Sequence, residues 1–516
     1  MSSFRSIFRN ISSISKVFLC AFTAPFVLCG GSLFVPEPVL EQALAKSLRV
    51  DVEDLTAELV AENLEYFELN NANIRDLTGL ESALRLRVLV LRDNLIQDLS
   101  PLSELAYLTK LDLAGNKISN LKSLSNLSGR MMEDEITRIQ KKLSDYKTPK
   151  DEVAQLVLSL NELTQRYRRG PWQLRELSLS NNRLLGLTGI SQLSHIRHLD
   201  VSGNSLIDLE GISRLSSLTT LYAHGNQLGR VESYVDENKN KTYELGEPIK
   251  DESGNGKRDT DPVIELQSLP KLVNLYLYDN MLKSVASLND LPSLQVLLLS
   301  GNQLENVGNL SNFKEIRRLS LSDNRINSLQ GLDSLPKIEH LYLVENRICD
   351  LRPIQGLNSL KELRLQRNQF VSLKPIAGYQ DIQVLSLSNN FIYSIKPLLG
   401  LKKMRRLSLS GNCLDLENQI VQDQLSQIRS LGTFLVTGNQ KKRVIEAEQL
   451  VYSMIGHPRS NKMLGDYLQM KGYLRLMDFV EDPSVDEGEK TSAYRSWQKA
   501  LTNGSFRNDL PFLGKK

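Results

Sequence analysis

The chain has 516 residues, with 63 Lys+Arg against 60 Asp+Glu and a formal net charge of +3; this near balance excludes a strongly basic nucleic-acid binder and an acidic solvating tail. Hydrophobic residues at 41% and charged residues at 24% exclude wholesale disorder. Four cysteines, Cys20, Cys29, Cys349 and Cys413, are too few and too scattered for a disulfide scaffold or a four-thiolate zinc site.

Residues 1–31 contain Arg5, Arg9 and Lys16 and no acidic residue, followed by the apolar run Val17–Leu28 and then Cys29-Gly-Gly. A basic start, a short apolar stretch and small residues after it make a secretory signal peptide, so the chain is expected to be exported to the periplasm, the cell surface or the medium. The run falls short of the ~20 residues a bilayer span needs, and Pro25 interrupts it. A buried N-terminal helix is the alternative; a lipid anchor on Cys29 stays open, although Leu28 is a poor neighbour for one. Removal of the segment leaves 60 basic and 60 acidic residues, a neutral mature chain in which recognition depends on local patches. Cys349 and Cys413 are then the thiols certain to remain. They sit at different phases of a repeat, several repeats apart, and are read as unpaired structural thiols. No later stretch is long and apolar enough to predict a transmembrane span.

In residues 32–63, Leu40, Leu44 and Leu48 share one face of a predicted helix. From Leu64 one period takes over. The pattern L-x-x-L-x-L-x-x-N-x-I/L starts at Leu64, Leu86, Leu108, Leu174, Ile196, Leu218, Leu272, Leu294, Ile316, Ile338, Leu360, Ile382 and Met404, with a spacing of 22 residues inside each uninterrupted block. Asn holds the ninth place in every copy but the first, which has Ala72. A weaker copy, Leu431-x-x-Phe434-x-Val436-x-x-Asn439, reads as the closing repeat. Leucine at places 1, 4 and 6 makes a short strand whose alternate side chains enter a core, and later leucines such as Leu99, Leu102 and Leu105 close the far side. No single coil buries its leucines alone, so the copies must stack into a one-dimensional solenoid. Length alone suggests about three or four domains, but a solenoid grows by repetition, and residues 64–440 form one elongated unit. Aliphatic residues fill so narrow a coil, which accounts for an aromatic content of only 6%.

These residues resemble bacterial leucine-rich-repeat proteins of the internalin-like, 22-residue type, whose wording N-x-I-x-D-L-x-x-L-x-x-L recurs as Asn94-Leu-Ile-Gln-Asp-Leu-Ser-Pro-Leu-Ser-Glu-Leu105. The resemblance implies an α/β solenoid, a leucine-rich-repeat horseshoe with a parallel concave β-sheet, in which residues 32–63 are an N-terminal helical cap. It implies a binding scaffold and does not name a ligand. In such repeats the Asn bonds neighbouring backbone groups, so that successive copies make a ladder.

Two insertions break the period. In the first, about 129–173, Ile136, Ile139, Leu143 and Tyr146 form one helical stripe. Thr148-Pro149-Lys-Asp151 supplies an N-cap, and Val153, Leu156, Val157, Leu160, Leu163 and Tyr167 form a second stripe, ended by Gly170-Pro171. This predicts a helical hairpin packed on the solenoid, with a partner-binding arm as the alternative. The second, about 229–262, offers oxygens at the places calcium takes from a flexible loop. They are Asp236, Asn238, Asn240, the Thr242 carbonyl, Glu244 and Glu247, then Asp251, Ser253, Asn255, the Lys257 carbonyl and Asp259. The two runs resemble tandem calcium loops of secreted bacterial proteins, which makes calcium the one expected cofactor. Lys241 replaces the turn glycine of the first loop, and Pro262 stands where the second needs a carboxylate; a solvated polar loop is the alternative. Residues 441–516 read as a helical C-terminal region that at minimum caps the last coil.

Places 3, 5 and 7 of each strand face away from the core. Most copies put small or mixed residues there, but the centre carries Tyr222, His224, Tyr276, Tyr278, Leu298, His340 and Tyr342. Tyr-rich clusters commonly dominate protein interfaces, so this concave patch is the candidate ligand site. A protein partner is expected; a glycan stacking on the rings and mere cross-strand pairing are the alternatives. His195 and His198 form H-x-x-H, but they are not on one helix, and the chain has no G-x-S-x-G, CxxC, HExxH or phosphate-cradling glycine loop. No enzyme is expected. The sequence therefore reads as an exported repeat scaffold for protein recognition. A calcium-organised component of the cell envelope and, with an uncleaved N-terminus, an intracellular phosphatase-regulator-like repeat protein are the other readings.

Overall fold

Each copy of the repeat leaves two demands on its neighbours: an aliphatic stripe to bury and an asparagine amide that must find partners once covered. The computed structural model describes residues 32–440 apart from 129, 145–149, 168–172, 232–234, 236–247, 251–265, 267–268, 287, 289–290, 309, 311, 334, 371 and 393. Residues 1–31, expected above to be a signal peptide, the calcium-ligand candidates between Asp236 and Asp259, and the region 441–516 lie outside the described residues.

Places 3 to 5 of each copy form a strand. These are β1 (Tyr66–Glu68), β2 (Val88–Val90), β3 (Lys110–Asp112), β4 (Glu176–Ser178), β5 (His198–Asp200), β6 (Thr220–Tyr222) and β7 (Asn274–Tyr276). They continue as β8 (Val296–Leu298), β9 (Arg318–Ser320), β10 (His340–Tyr342), β11 (Glu362–Arg364), β12 (Val384–Ser386), β13 (Arg406–Ser408) and β14 (Phe434–Val436). All lie in chain order in one open parallel sheet. Register runs from like place to like place, Phe67 opposite Leu89 and Leu341 opposite Leu363. The insertions do not disturb it: Leu111 pairs with Leu177 and Leu221 with Leu275. Leucines at places 4 and 6, such as Leu89, Leu91, Leu297 and Leu299, have no exposed surface, each burial contributing about 1.5–3 kcal/mol.

The asparagine ladder is continuous. Asn302 donates from Nδ2 to the carbonyls of Leu277 (3.0 Å), Leu299 (3.0 Å) and Ser300 (3.3 Å), while its Oδ1 accepts from the Leu282 N–H at 2.9 Å. The same bonds carry the ladder across both insertions, since Asn182 accepts from Ile118 N–H and Asn280 from Leu228 N–H. On the far side the chain makes short 3-10 turns such as Ser100–Leu102 and Arg352–Ile354. The residue at place 13 caps them: the N–H of Ser100 reaches Asp98 at 2.9 Å, that of Glu210 reaches Asp208 at 2.8 Å, and that of Arg352 reaches Asp350 at 3.0 Å. The Asp in N-x-I-x-D-L is thus a turn former.

At the N-terminal end, α1 (Pro38–Leu48) starts on a proline and buries Leu40 and Leu44, and α2 (Ala57–Asn63) is capped by Thr56, which accepts from Leu59 N–H at 3.2 Å. In the first insertion, α3 (Arg130–Ser144) and α4 (Lys150–Tyr167) pack against each other, and Lys142 bonds Glu152 between them at 2.8 Å. α3 rests on the 3-10 helix Lys122–Ser128, with Ile139 buried, while Leu163 and Tyr167 of α4 pack on Ala106. Further along α4, Val157 is 41% and Leu158 70% exposed, so Val157 does not join the stripe assigned to it. Cys349 is buried, and burial holds its thiol well above the ordinary range; it is not joined to Cys413.

The closing repeat needs correcting by one residue. Arg406, Leu407 and Ser408 pair with Phe434, Leu435 and Val436. Leu435 packs on the core, whereas Phe434 is 62% and Val436 36% exposed. Gln440, not Asn439, takes the ladder place, donating to the Leu409 carbonyl at 3.1 Å and accepting from Leu414 N–H at 3.3 Å. Because side chains alternate along a strand, a slip of one residue exchanges the two faces. The residues added before this copy form α5 (Gln419–Ser430), capped by Asn418 and burying Leu425 and Ile428. This helix replaces the usual 3-10 turn on the far side of the last coil.

Candidate functional site

Parallel neighbours bring like places side by side at about 4.8 Å, close to the separation of stacked rings. Place 5 of β6 and β7 puts Tyr222 opposite Tyr276, and their rings stack with centroids 4.4 Å apart at 13°. At place 7, His224 and Tyr278 stack at 4.1 Å and 16°, and Tyr222 meets His224 edge-on at 6.3 Å. Leu298 on β8 lies opposite Tyr276 and extends the apolar surface. Burial pushes the phenols of Tyr276 and Tyr278 up, with Tyr222 adding to the first and Asp279 to the second. Burial pushes the His224 imidazole down against the opposing pull of Asp200 and Asp279, which favours the neutral ring, and its Nδ1 is buried with no hydrogen-bond partner.

His340 and Tyr342 do not join these five. β9 separates them from Leu298, with Arg318 and Ser320 at its places 3 and 5. They belong instead to a polar cluster centred on Glu362 of β11. Glu362 Oε2 accepts from the Tyr342 hydroxyl at 2.9 Å and lies 3.1 Å from His340 Nδ1, while Arg364 Nε donates to Oε1 at 2.7 Å. The Arg364 guanidinium also lies over the Tyr342 ring, 5.1 Å from its centroid. Burial alone would raise the Glu362 carboxyl, but the bonds from Tyr342, Arg364 and His340 outweigh it and hold the group below its usual range. Tyr342 is raised by burial and then by Glu362. Glu362 and Arg364 were not among the residues singled out from the sequence. Their signal was positional: they occupy places 3 and 5, one strand beyond His340 and Tyr342.

The residues expected to hold calcium all lie outside the described residues. Among the described residues no group of three or more His, Cys, Asp or Glu is set to hold a metal ion, and no helix is long and apolar enough to cross a membrane. His195 and His198 are both exposed, His198 on β5.

Comparison with known proteins agrees with the coil geometry. A family model described as leucine-rich repeats (two copies) matches residues 84–126 and 314–357, and a leucine-rich-repeat model matches 173–193. No curated protein matches the sequence. Among solved structures, an internalin (inlF) from Listeria monocytogenes is similar at 20% identity and a TM-score of 0.59, over 80% of this chain and 98% of that one. The functional domain of InlJ from Listeria monocytogenes matches at 17% identity and a TM-score of 0.44, over 72% of this chain and 73% of that one. A leucine-rich-repeat protein of Leptospira interrogans matches at 22% and 0.41, over 76% and 98%. The likeness to inlF, together with the repeat models, establishes the fold alone: the chain is an open leucine-rich-repeat solenoid.

Proposed function

We propose that this solenoid is a scaffold for protein–protein recognition that holds its partner on the concave face, anchored at the aromatic cluster of β6 to β8. One observation carries the reading. Two stacked ring pairs, Tyr222–Tyr276 and His224–Tyr278, sit half-buried at outward places of the sheet, where most coils carry serine and other small or mixed residues. Tyrosine supplies a large, stiff contact area with a polar tip, and anchors of this kind cost about 2 kcal/mol or more of binding when truncated.

The test compares wild type with Tyr276→Ala and Tyr278→Ala, both for partner capture and for melting temperature. Weakened capture with a nearly unchanged melting temperature supports the reading. Unchanged capture with a lowered melting temperature means that the rings serve only the sheet. Capture abolished by glycosidase treatment of the partner moves the ligand to a glycan.

Export and calcium are further parts of the proposal and rest on sequence. N-terminal sequencing of the mature protein tests removal of residues 1–31; an intact N-terminus returns the intracellular reading. Calorimetric titration of the full chain with calcium tests the loops between Asp236 and Asp259. Calcium-dependent assembly without any effect of the tyrosine substitutions would favour the envelope-component reading.

A further inference from the structure

Most positive charges on the concave face are already engaged. Arg92 pairs with Asp112 at 2.5 Å, Lys110 with Glu176 at 3.1 Å and Arg364 with Glu362 at 2.6 Å, while Arg406 lies over the Phe434 ring at 5.6 Å. Arg318 differs. It stands exposed at place 3 of β9 and makes no ion pair with any described residue. Val296 and Leu298 flank its strand on one side and His340 and Tyr342 on the other. Its charge reaches the phenols of both Tyr276 and Tyr342, so it stands between the aromatic cluster and the Glu362 network. Across places 3, 5 and 7 of β7 to β10 it is the single Arg, Lys, Asp or Glu.

A lone guanidinium beside an apolar ring surface selects a ligand with one negative charge next to an apolar group. A polyanion needs a row of free cations, and here the adjacent β11 carries Glu362 while β4 and β5 carry Glu176 and Asp200. We propose that the concave face takes a segment of a protein partner that sets an Asp or Glu carboxylate against Arg318 and an apolar or aromatic side chain on the Tyr276–Leu298 surface. This rests on the concave-face reading above and narrows it. β7 and β9 are two strand spacings apart, about 10 Å, and an extended chain covers that distance in about three residues. The acid and the apolar anchor therefore stand close together in the partner's sequence.

The probe is a phage-displayed library of random linear dodecapeptides, panned on the full chain and on Arg318→Glu and Tyr276→Ala. Arg318 is exposed, so its substitution leaves the core intact, and circular dichroism melting checks this for each variant. On wild type the selection enriches an acidic residue about three positions from an aromatic or large aliphatic one. On Arg318→Glu that place turns to Lys or Arg, and a synthetic wild-type-selected peptide loses about tenfold or more in affinity. An acidic preference unchanged on Arg318→Glu overturns the proposal. If such peptides are still lost on Tyr276→Ala, the concave-face reading survives without the acid. If they are indifferent to both substitutions, both readings fall. A library that enriches nothing on wild type over the two variants counts against the acidic segment.

Discussion

Glu345 and Arg367 hold the same place in successive coils, directly before the ladder asparagine; both have positive φ, 55° and 56°, and their side chains pair with each other. Every full copy bends the backbone this way at place 8. Elsewhere the residue is Gly, Asn or Asp, from Asp323 at 51° to Gly115 at 70°. These types reach the left-handed region at little cost, whereas a longer side chain pays about 1–2 kcal/mol for the close approach of its Cβ to the following carbonyl. The exposed ion pair returns about 0–1 kcal/mol. Replacing both residues by glycine should therefore raise stability by about 1 kcal/mol after the entropy glycine adds to the unfolded chain. The urea midpoint reports it, and a fall would show that the pair outweighs the strain.

Removal of one rung of the ladder should do the opposite. Asn302→Ala leaves the buried Leu282 N–H without its partner, while the Leu277 and Leu299 carbonyls each lose one donor and keep Asn280 at 3.1 Å and Asn324 at 3.0 Å. A buried polar group left unpaired costs about 1–3 kcal/mol, so a loss of about that size is expected. In a quasi-one-dimensional stack it should be felt first by the adjoining coils. Amide exchange accelerating around Leu277–Leu304 before the rest of the sheet is the expected signature; uniform acceleration would mean that the stack unfolds as one unit.

The solenoid was legible in the sequence because its signal is repeated in phase, and thirteen copies average out local exceptions such as Ala72. Place 8 escaped notice because Gly, Asn and Asp share a conformational property rather than a polarity. The concave face was legible one residue at a time. Its seven aromatic, His and Leu members were visible, but the division at Arg318 and the binding of Tyr342 to Glu362 depend on which strands are neighbours. The hairpin stripe failed at Val157 because a helix that leaves the solenoid covers only the part of its apolar side that lies near the coil.

The last coil shows the limit of pattern matching and can be tested directly. Leu431, Phe434, Val436 and Asn439 fit the template, yet the sheet uses Leu435 and Gln440 in its place. Leu435→Ala and Gln440→Ala should each lower the melting temperature more than Phe434→Ala, whose ring is 62% exposed and meets Arg406. The reverse order would restore the template register.

Glu362 makes the concave face sensitive to acid in a direction its partners fix. Tyr342, Arg364 and His340 hold its carboxyl below the usual range in the folded chain. A depressed folded value means that ionised Glu362 stabilises the fold above the unfolded carboxyl value of about 4.3. That contribution is lost as pH falls through the lowered folded value. Tyr342 behaves in the opposite sense. Its raised phenol contributes below the unfolded value of about 10 and loses that contribution as pH rises through the folded one. Glu362→Gln should therefore bring stability closest to wild type at the acid end and separate the two above about pH 5. Tyr342→Phe should show its gap at neutral pH and lose it in strong alkali. Denaturation midpoints measured across the full pH range check both; a Glu362→Gln gap that widens towards acid would mean that the carboxylate is not held low by these three neighbours.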